Sequence, residues 1–260
     1  MLWSYILPVK LVLMFLVLSS SMLARDDHDY VDTFDKPVTT VLDLGPSPYY
    51  RPSSQMRKTL TCYIYPSFMV KQYDERQKGA EWLSILRFKP SNPPACSLTH
   101  LGGEKVIHWP EWSGYFRGAK GPFAFFDASD GIDVGMPFVV YDTRTGKKVF
   151  EDSDYLWSAT SVPASSKVFK VSLDDKQRLV LTYLRVVSTN CDLMKDGAVC
   201  WKRVTSKYGI LATQQPVCHG YKQDYKGKWW SAVGYPVSVV VSAQNRIKAV
   251  DGPVFCWPTD

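Results

Sequence analysis

Short runs of β-branched and aromatic residues, separated by Gly, Pro, Asn and Asp, recur along the chain from residue 60 onward. They occupy 60–73, 81–88, 105–109, 122–128, 137–142, 147–152, 167–173, 178–187, 236–242 and 247–257. Runs this short with that punctuation predict strands. One earlier strand is expected at Val38–Leu44, inside a stretch that is otherwise acidic and then rich in Pro and Ser. The clearest local unit is FVVYDTRTGKKVFED (138–152). Two alternating segments flank Thr143-Arg144-Thr145-Gly146, and Gly146 can take the positive φ that closes a β-hairpin. Strict alternation places Val139, Tyr141, Val149 and Glu151 on one face, with Phe138, Val140, Lys148 and Phe150 on the other. Apolar residues on both faces predict that neither side is fully solvated. The turn does not recur at a fixed period of about 40–50 residues, which argues against a propeller.

Composition changes this picture in one respect. Of the 25 acidic residues, only five are Glu. Asp competes for local backbone groups and favours turns and caps over helix interiors. The one helix expected is Ala198–Tyr208, stopped by Gly209. The predicted fold is therefore mainly β: an antiparallel, sandwich-like architecture with long loops and at most one or two short helices. A hydrophobic share of 45% against a charged share of 22% excludes disorder for most of the chain.

The first 24 residues have the order of a secretory signal peptide. Lys10 precedes an apolar run, Leu11–Leu18, then come Ser19, Ser20 and Ser21 before Ala24, and the charged Arg25-Asp26-Asp27 follows. The run is too short for the roughly 20 residues of a spanning helix. Cleavage after Ala24 or after Ser21 fits, and an uncleaved N-terminal anchor is the alternative. The organisation expected is a signal peptide over 1–24, an extended arm over 25–58, and a single disulfide-containing β domain over 59–260. No transmembrane span is expected once the leader is removed, so the protein is expected to be secreted or periplasmic.

The net charge is +6, and its bases lie in ones and twos without a run of like charge. A stripe that tracks phosphates is absent, and no nucleic-acid partner is expected. All six cysteines (Cys62, Cys96, Cys191, Cys200, Cys218, Cys256) follow the leader. An even set in an exported chain pairs oxidatively, and six cysteines allow 15 connectivities. The preferred set is sequential: Cys62–Cys96, Cys191–Cys200 and Cys218–Cys256. The middle pair flanks a polar loop with a turn at Asp196-Gly197. It is worth roughly 3 kcal/mol, and each longer loop roughly 4, in the chain-entropy account. No Cys spacing suits structural zinc.

Candidate chemistry concentrates at 108–135, HWPEWSGYFRGAKGPFAFFDASDGIDVG. The motifs W-S-G-Y-F (112–116), F-F-D-A-x-D-G (125–131), Y-D-T-R-T-G-K-K-V-F-E-D (141–152) and C-W-P (256–258) resemble those of a group of exported bacterial proteins of uncharacterised function. The resemblance covers about half the mature chain. It implies export and brings no catalytic residues. Asp127, Asp130 and Asp133, three apart, offer hard oxygen ligands to calcium, although the EF-hand spacing is absent and turn formation is the competing reading. No other cofactor is expected. Trp109, Trp112 and Tyr115, with Trp229 and Trp230, offer rings on which a carbohydrate could stack; core packing is the alternative. Glu111 with Asp127 or Asp130 is the only carboxylate pairing that suggests a glycosidase.

The remaining motifs exclude more than they offer. The nucleophile-elbow, zincin and phosphate-loop motifs do not occur. His219 follows Cys218 directly, so on a strand the two point apart and form no dyad. No N-glycosylation sequon is present, which favours a bacterial exporter. The expected function is non-catalytic binding or structural work outside the cytosol, with a carbohydrate or an envelope protein as partner. The alternative is an extracellular polysaccharide hydrolase.

Overall fold

The computed structural model describes residues 34–51, 53–131, 135–155, 169–220 and 230–259. The expected leader (1–24), the start of the arm, Asp133 and Trp229 lie outside the described residues.

The described residues form fourteen strands, thirteen of them on the expected runs; the fourteenth, at Gly114–Lys120, lies where no strand was expected. The first five are β1 (Val38–Pro46), β2 (Arg57–Ile64), β3 (Phe68–Asp74), β4 (Trp82–Arg87) and β5 (Lys105–Ile107). They make an antiparallel sheet in chain order. The run 60–73 divides at Pro66-Ser67 into β2 and β3, since Pro cannot donate to a ladder. The strand expected inside the arm forms as β1 and pairs with β2 from Val38↔Ile64 to Asp43↔Thr59, so this part of the arm is built into the domain.

The second sheet begins with β6 (Gly114–Lys120), β7 (Phe123–Ala128), β8 (Gly135–Asp142) and β9 (Lys147–Tyr155). It continues with β10 (Phe169–Leu173), β11 (Leu179–Ser188), β12 (Ser231–Val240), β13 (Arg246–Ala249) and β14 (Phe255–Pro258). Its main path runs β13-β12-β11-β9-β8-β7-β6, with β10 beside β11 and β14 beside β12. The two antiparallel sheets do not close into a barrel, and the fold is an all-β sandwich. The nine-stranded sheet curls on itself where β9 meets β11, at the single register pair Arg185↔Asp154. Across this curl Phe125 and Phe138 meet Phe169 edge-on, with ring centroids 6.3 and 5.3 Å apart.

The β7–β8 pair is consequently buried on both faces. Ala124, Phe126, Val139 and Tyr141 pack with Val70, Leu83 and Ile85 of the first sheet. Phe123, Phe125, Phe138 and Val140 pack with Leu181, Tyr183 and Val237 of the opposite limb. The expected hairpin forms, but with a β-bulge: Val140 opposes Phe150 while Tyr141 opposes Lys148. The extra residue shifts alternation by one. Val149 therefore joins the Val140 side, where it packs against the core, and Lys148 lies opposite Tyr141. The two-face assignment from strict alternation is corrected at these two positions.

Among the described residues one helix, α1 (Leu193–Tyr208), packs against this core with Leu193, Cys200, Trp201 and Val204. Asp192 caps it by accepting from the Met194 and Lys195 backbone N–H groups. Gly197 departs from helical geometry at φ 47°, so the regular segment starts at Ala198 and ends at left-handed Gly209, as the sequence predicts. The structure closes Cys62–Cys96, Cys191–Cys200 and Cys218–Cys256, which is the sequential set, and leaves no free cysteine. Among the described residues no helix is long and apolar enough to cross a membrane.

If both faces of β7–β8 are core, Phe126→Ala and Phe138→Ala should each cost about 3–5 kcal/mol in urea unfolding. A loss below about 1 kcal/mol at either position would mean that its face is not packed.

Candidate functional site

The segment Trp109–Asp130 leaves the first sheet after β5 and supplies β6 and β7 of the second, which separates its candidate side chains. At Gly114 a Cβ would lie 1.7 Å from the Asp127 carbonyl oxygen, so the W-S-G-Y-F motif needs glycine for β6 to approach β7. This approach lets the Trp112 indole donate to the Asp127 carbonyl at 3.3 Å. Trp112 is half-buried against the core between the sheets. The Tyr115 hydroxyl accepts from Gly79 N–H at 2.9 Å and donates to the Gln77 carbonyl at 3.2 Å, so it anchors a loop. Trp109 is different, because 78% of its surface is in solvent. Trp230 is 43% exposed and precedes β12.

The carboxylates expected to work in pairs each have their own cation. Glu111 accepts from Lys105 at 2.6 Å and from the Tyr141 hydroxyl at 2.9 Å. Burial acts to raise its pKa, but these bonds outweigh it and hold the carboxyl below the usual range. Asp130 pairs with Lys78 on the surface, which likewise lowers its pKa. Asp127 turns instead to Arg117 at 3.1 Å. A glycosidase acid must hold its proton near neutrality; the shifts at Glu111 and Asp130 run the other way, whereas burial raises the Asp127 carboxyl against the opposing charge of Arg117. Asp127 and Asp130, the described members of the calcium candidate, also have separate counter-ions. Among the described residues no group of three or more His, Cys, Asp or Glu is arranged to hold a metal.

Two buried charge clusters were missed by the sequence reading. The first lies inside the curl. The ladder between β6 and β7 skips Arg117, passing from Phe116↔Phe126 to Gly118↔Phe125. A bulge of this kind re-aims a side chain. The guanidinium lies 3.6 Å from the Phe169 ring centroid and bridges Asp127 and Asp154, the latter at 2.8 Å. Burial pushes the Asp154 carboxyl up to about 7, with the Asp127 charge adding to the rise and Arg117 opposing it. Beside it, Arg185 donates to Asp152 at 3.0 Å and to the Tyr235 hydroxyl at 3.2 Å, and Tyr183 also donates to Asp152. These groups sit where β9 and β11 barely pair. Charged side chains thus do the joining that the backbone ladder leaves undone.

The second cluster lies under the loop 88–104. Cys62, Lys71 and Ser84 stand opposite one another across β2, β3 and β4. The Cys62–Cys96 disulfide ties the loop onto this face, and the loop brings in Glu104. Lys71 and Glu104 are 3.1 Å apart, both with 0% side-chain exposure. Lys71 also donates to the Thr99 carbonyl, while Glu104 accepts from Ser84, Leu101 N–H and His100. Burial acts to raise the Glu104 pKa, but these donors outweigh it and keep the carboxyl below its usual value. His100 packs edge-on to Trp82 at 4.7 Å. No local signal marked this cluster: alternation puts Lys71 on the face away from Phe68 and Val70, which meet the other sheet, and only the loop buries it.

Fold and sites together define a disulfide-bonded β sandwich whose interior charges are matched by named partners. Compared with protein-family models, with curated proteins and with solved structures, the chain matches none.

Three variants test these clusters. Lys71→Met should cost about 3–5 kcal/mol by leaving Glu104 buried without its cation, and adding Glu104→Gln should recover much of that loss. A double variant as unstable as the single would refute the pairing. Asp154 has a folded pKa above its unfolded value near 3.8, so its contribution to stability is full below about pH 4 and is lost as pH rises through about 7. Asp154→Asn should remove that decline. Urea midpoints of wild type and variant that run parallel between about pH 4.5 and 8 would refute the shift.

Proposed function

We propose that this chain is an exported binding scaffold, secreted or periplasmic, that works without catalysing a reaction. The observation that carries the reading is the pairing of all six cysteines, a chemistry suited to oxidising compartments. The leader-like order of residues 1–24 supports the same placement. The acids nominated for hydrolysis are engaged with cations, and Asp154, the carboxyl best suited to hold a proton, is only 3% exposed. Substrate in solvent does not reach such a group. Trp109 supplies an indole available to a carbohydrate or an envelope protein.

Expression in a bacterial host with fractionation tests the reading. The protein should appear in the periplasm or medium, trimmed near Ser21 or Ala24, with the three disulfides found by non-reducing peptide mapping. It should be retained on isolated cell-envelope polysaccharide, and Trp109→Ala should weaken retention by about tenfold without lowering the melting temperature. A reduced, untrimmed cytosolic product would overturn export. A wild-type protein that is not retained would overturn the carbohydrate contact.

A further inference from the structure

Three hairpin turns meet at one end of the nine-stranded sheet: β8–β9, β10–β11 and β12–β13. They enclose a groove of about 520 Å³, within the range of about 300–1,000 Å³ usual for small-ligand sites. Phe123, Val149 and Val241 form apolar lining; Arg144, Lys148, Lys176 and Arg178 supply four cations, with Asp142 the one lining carboxylate and Lys148 paired at 2.6 Å with Glu151, which is not part of the lining. A fifth cation, Arg87, reaches the same turn by donating to the Arg144 carbonyl at 2.7 Å.

The two arginines are fixed in place. Arg144 donates to both oxygens of Asp142 at 2.9 and 2.8 Å, and its guanidinium stands 5.5 Å from the Phe123 ring centroid. Arg178 is held by Asp174 at 2.7 Å, and the same carboxylate accepts the Lys176 and Arg178 backbone N–H groups. Each bond leaves other guanidinium N–H donors for a ligand. Asn245 holds the third turn by accepting from Ser242 N–H at 2.9 Å and donating to the Val149 carbonyl at 2.7 Å. Set loops at one end of a rigid sandwich are where binding residues commonly stand.

We propose that this groove binds an anionic oligosaccharide, a short sugar chain with carboxylates on its rings. It rests on the binding reading above and specifies the ligand's chemistry. Fixed guanidiniums suit planar carboxylates, the lysines add charge that adapts to ring spacing, and the apolar lining suits the C–H faces of sugar rings. A nucleic-acid duplex or a membrane surface needs a broader, more uniformly basic face than these interleaved acids and bases provide.

Calorimetric titration of the full mature chain with trigalacturonate tests the proposal. Dissociation constants below about 1 mM are expected, weakening by about tenfold as salt rises from about 0.05 to about 0.5 M. Maltotriose should give no binding. Lys148→Glu with Lys176→Glu should reduce affinity by about tenfold or more while the melting temperature stays within about 2 °C, since both side chains lie at the surface. Lys148→Arg with Lys176→Arg should retain binding. The proposal falls if wild type ignores trigalacturonate, takes maltotriose equally well, or is unaffected by charge reversal. It also falls if inorganic phosphate or anionic phospholipid vesicles bind as tightly. Retention on envelope polysaccharide through Trp109 with no affinity for trigalacturonate would remove the groove assignment alone.

Discussion

A pair of strands buried on both faces is the constraint from which most of this architecture follows. β7 and β8 have no solvent side, so neither can alternate apolar with polar residues. Their sequences, FAFFDA and GMPFVVYD, carry aromatic or aliphatic residues toward each neighbour. The first sheet covers one face, and the curled limb of the second covers the other. Both coverings must be in place before the central hairpin loses its contact with water, which couples the two layers energetically even though they are distant in sequence.

The price of this arrangement appears at the curl. Bending a sheet back on itself leaves β9 and β11 with a single register pair, and backbone groups in that region lose regular partners. Arg117, Asp127, Asp152, Asp154 and Arg185 gather there. Buried ion pairs of this sort offset their own desolvation only when geometry and extra hydrogen bonds are good. Here Tyr183, Tyr235 and the face of Phe169 supply those extra contacts. The Lys71–Glu104 pair follows the same rule on the far side of the molecule, where a loop without regular structure needs a polar anchor as well as a disulfide.

Features set by neighbours along the chain were legible in the sequence. The hairpin at 138–152, the helix from Ala198 and its stop at Gly209, and the strand at Val38 all rest on turn chemistry and periodicity within a short window. What escaped was decided by contacts or by single-residue irregularities. The bulge that moves Val149 to the other face adds one residue to an otherwise regular alternation, and nothing in KKVFED announces it. Arg117 lies in a stretch where no strand was expected, and the ladder that skips it depends on its pairing with β7. Lys71 and Glu104 are 33 residues apart, and their meeting depends on a loop path that no local pattern specifies. In the aromatic and Asp-rich stretch, composition drew attention to the region and set its acids against one another, whereas Glu111 and Asp130 meet Lys105 and Lys78 from outside it and Asp127 meets Arg117 within it.

The covalent wiring has a separate consequence. Cys62–Cys96 stays within the smaller sheet and its loop, while Cys191–Cys200 and Cys218–Cys256 both belong to the other half. No sulfur bridge crosses between the layers. The molecule is thus two separately stapled slabs joined by an oily seam and the polypeptide itself, and tension applied across that seam would meet only noncovalent resistance before the backbone drew taut.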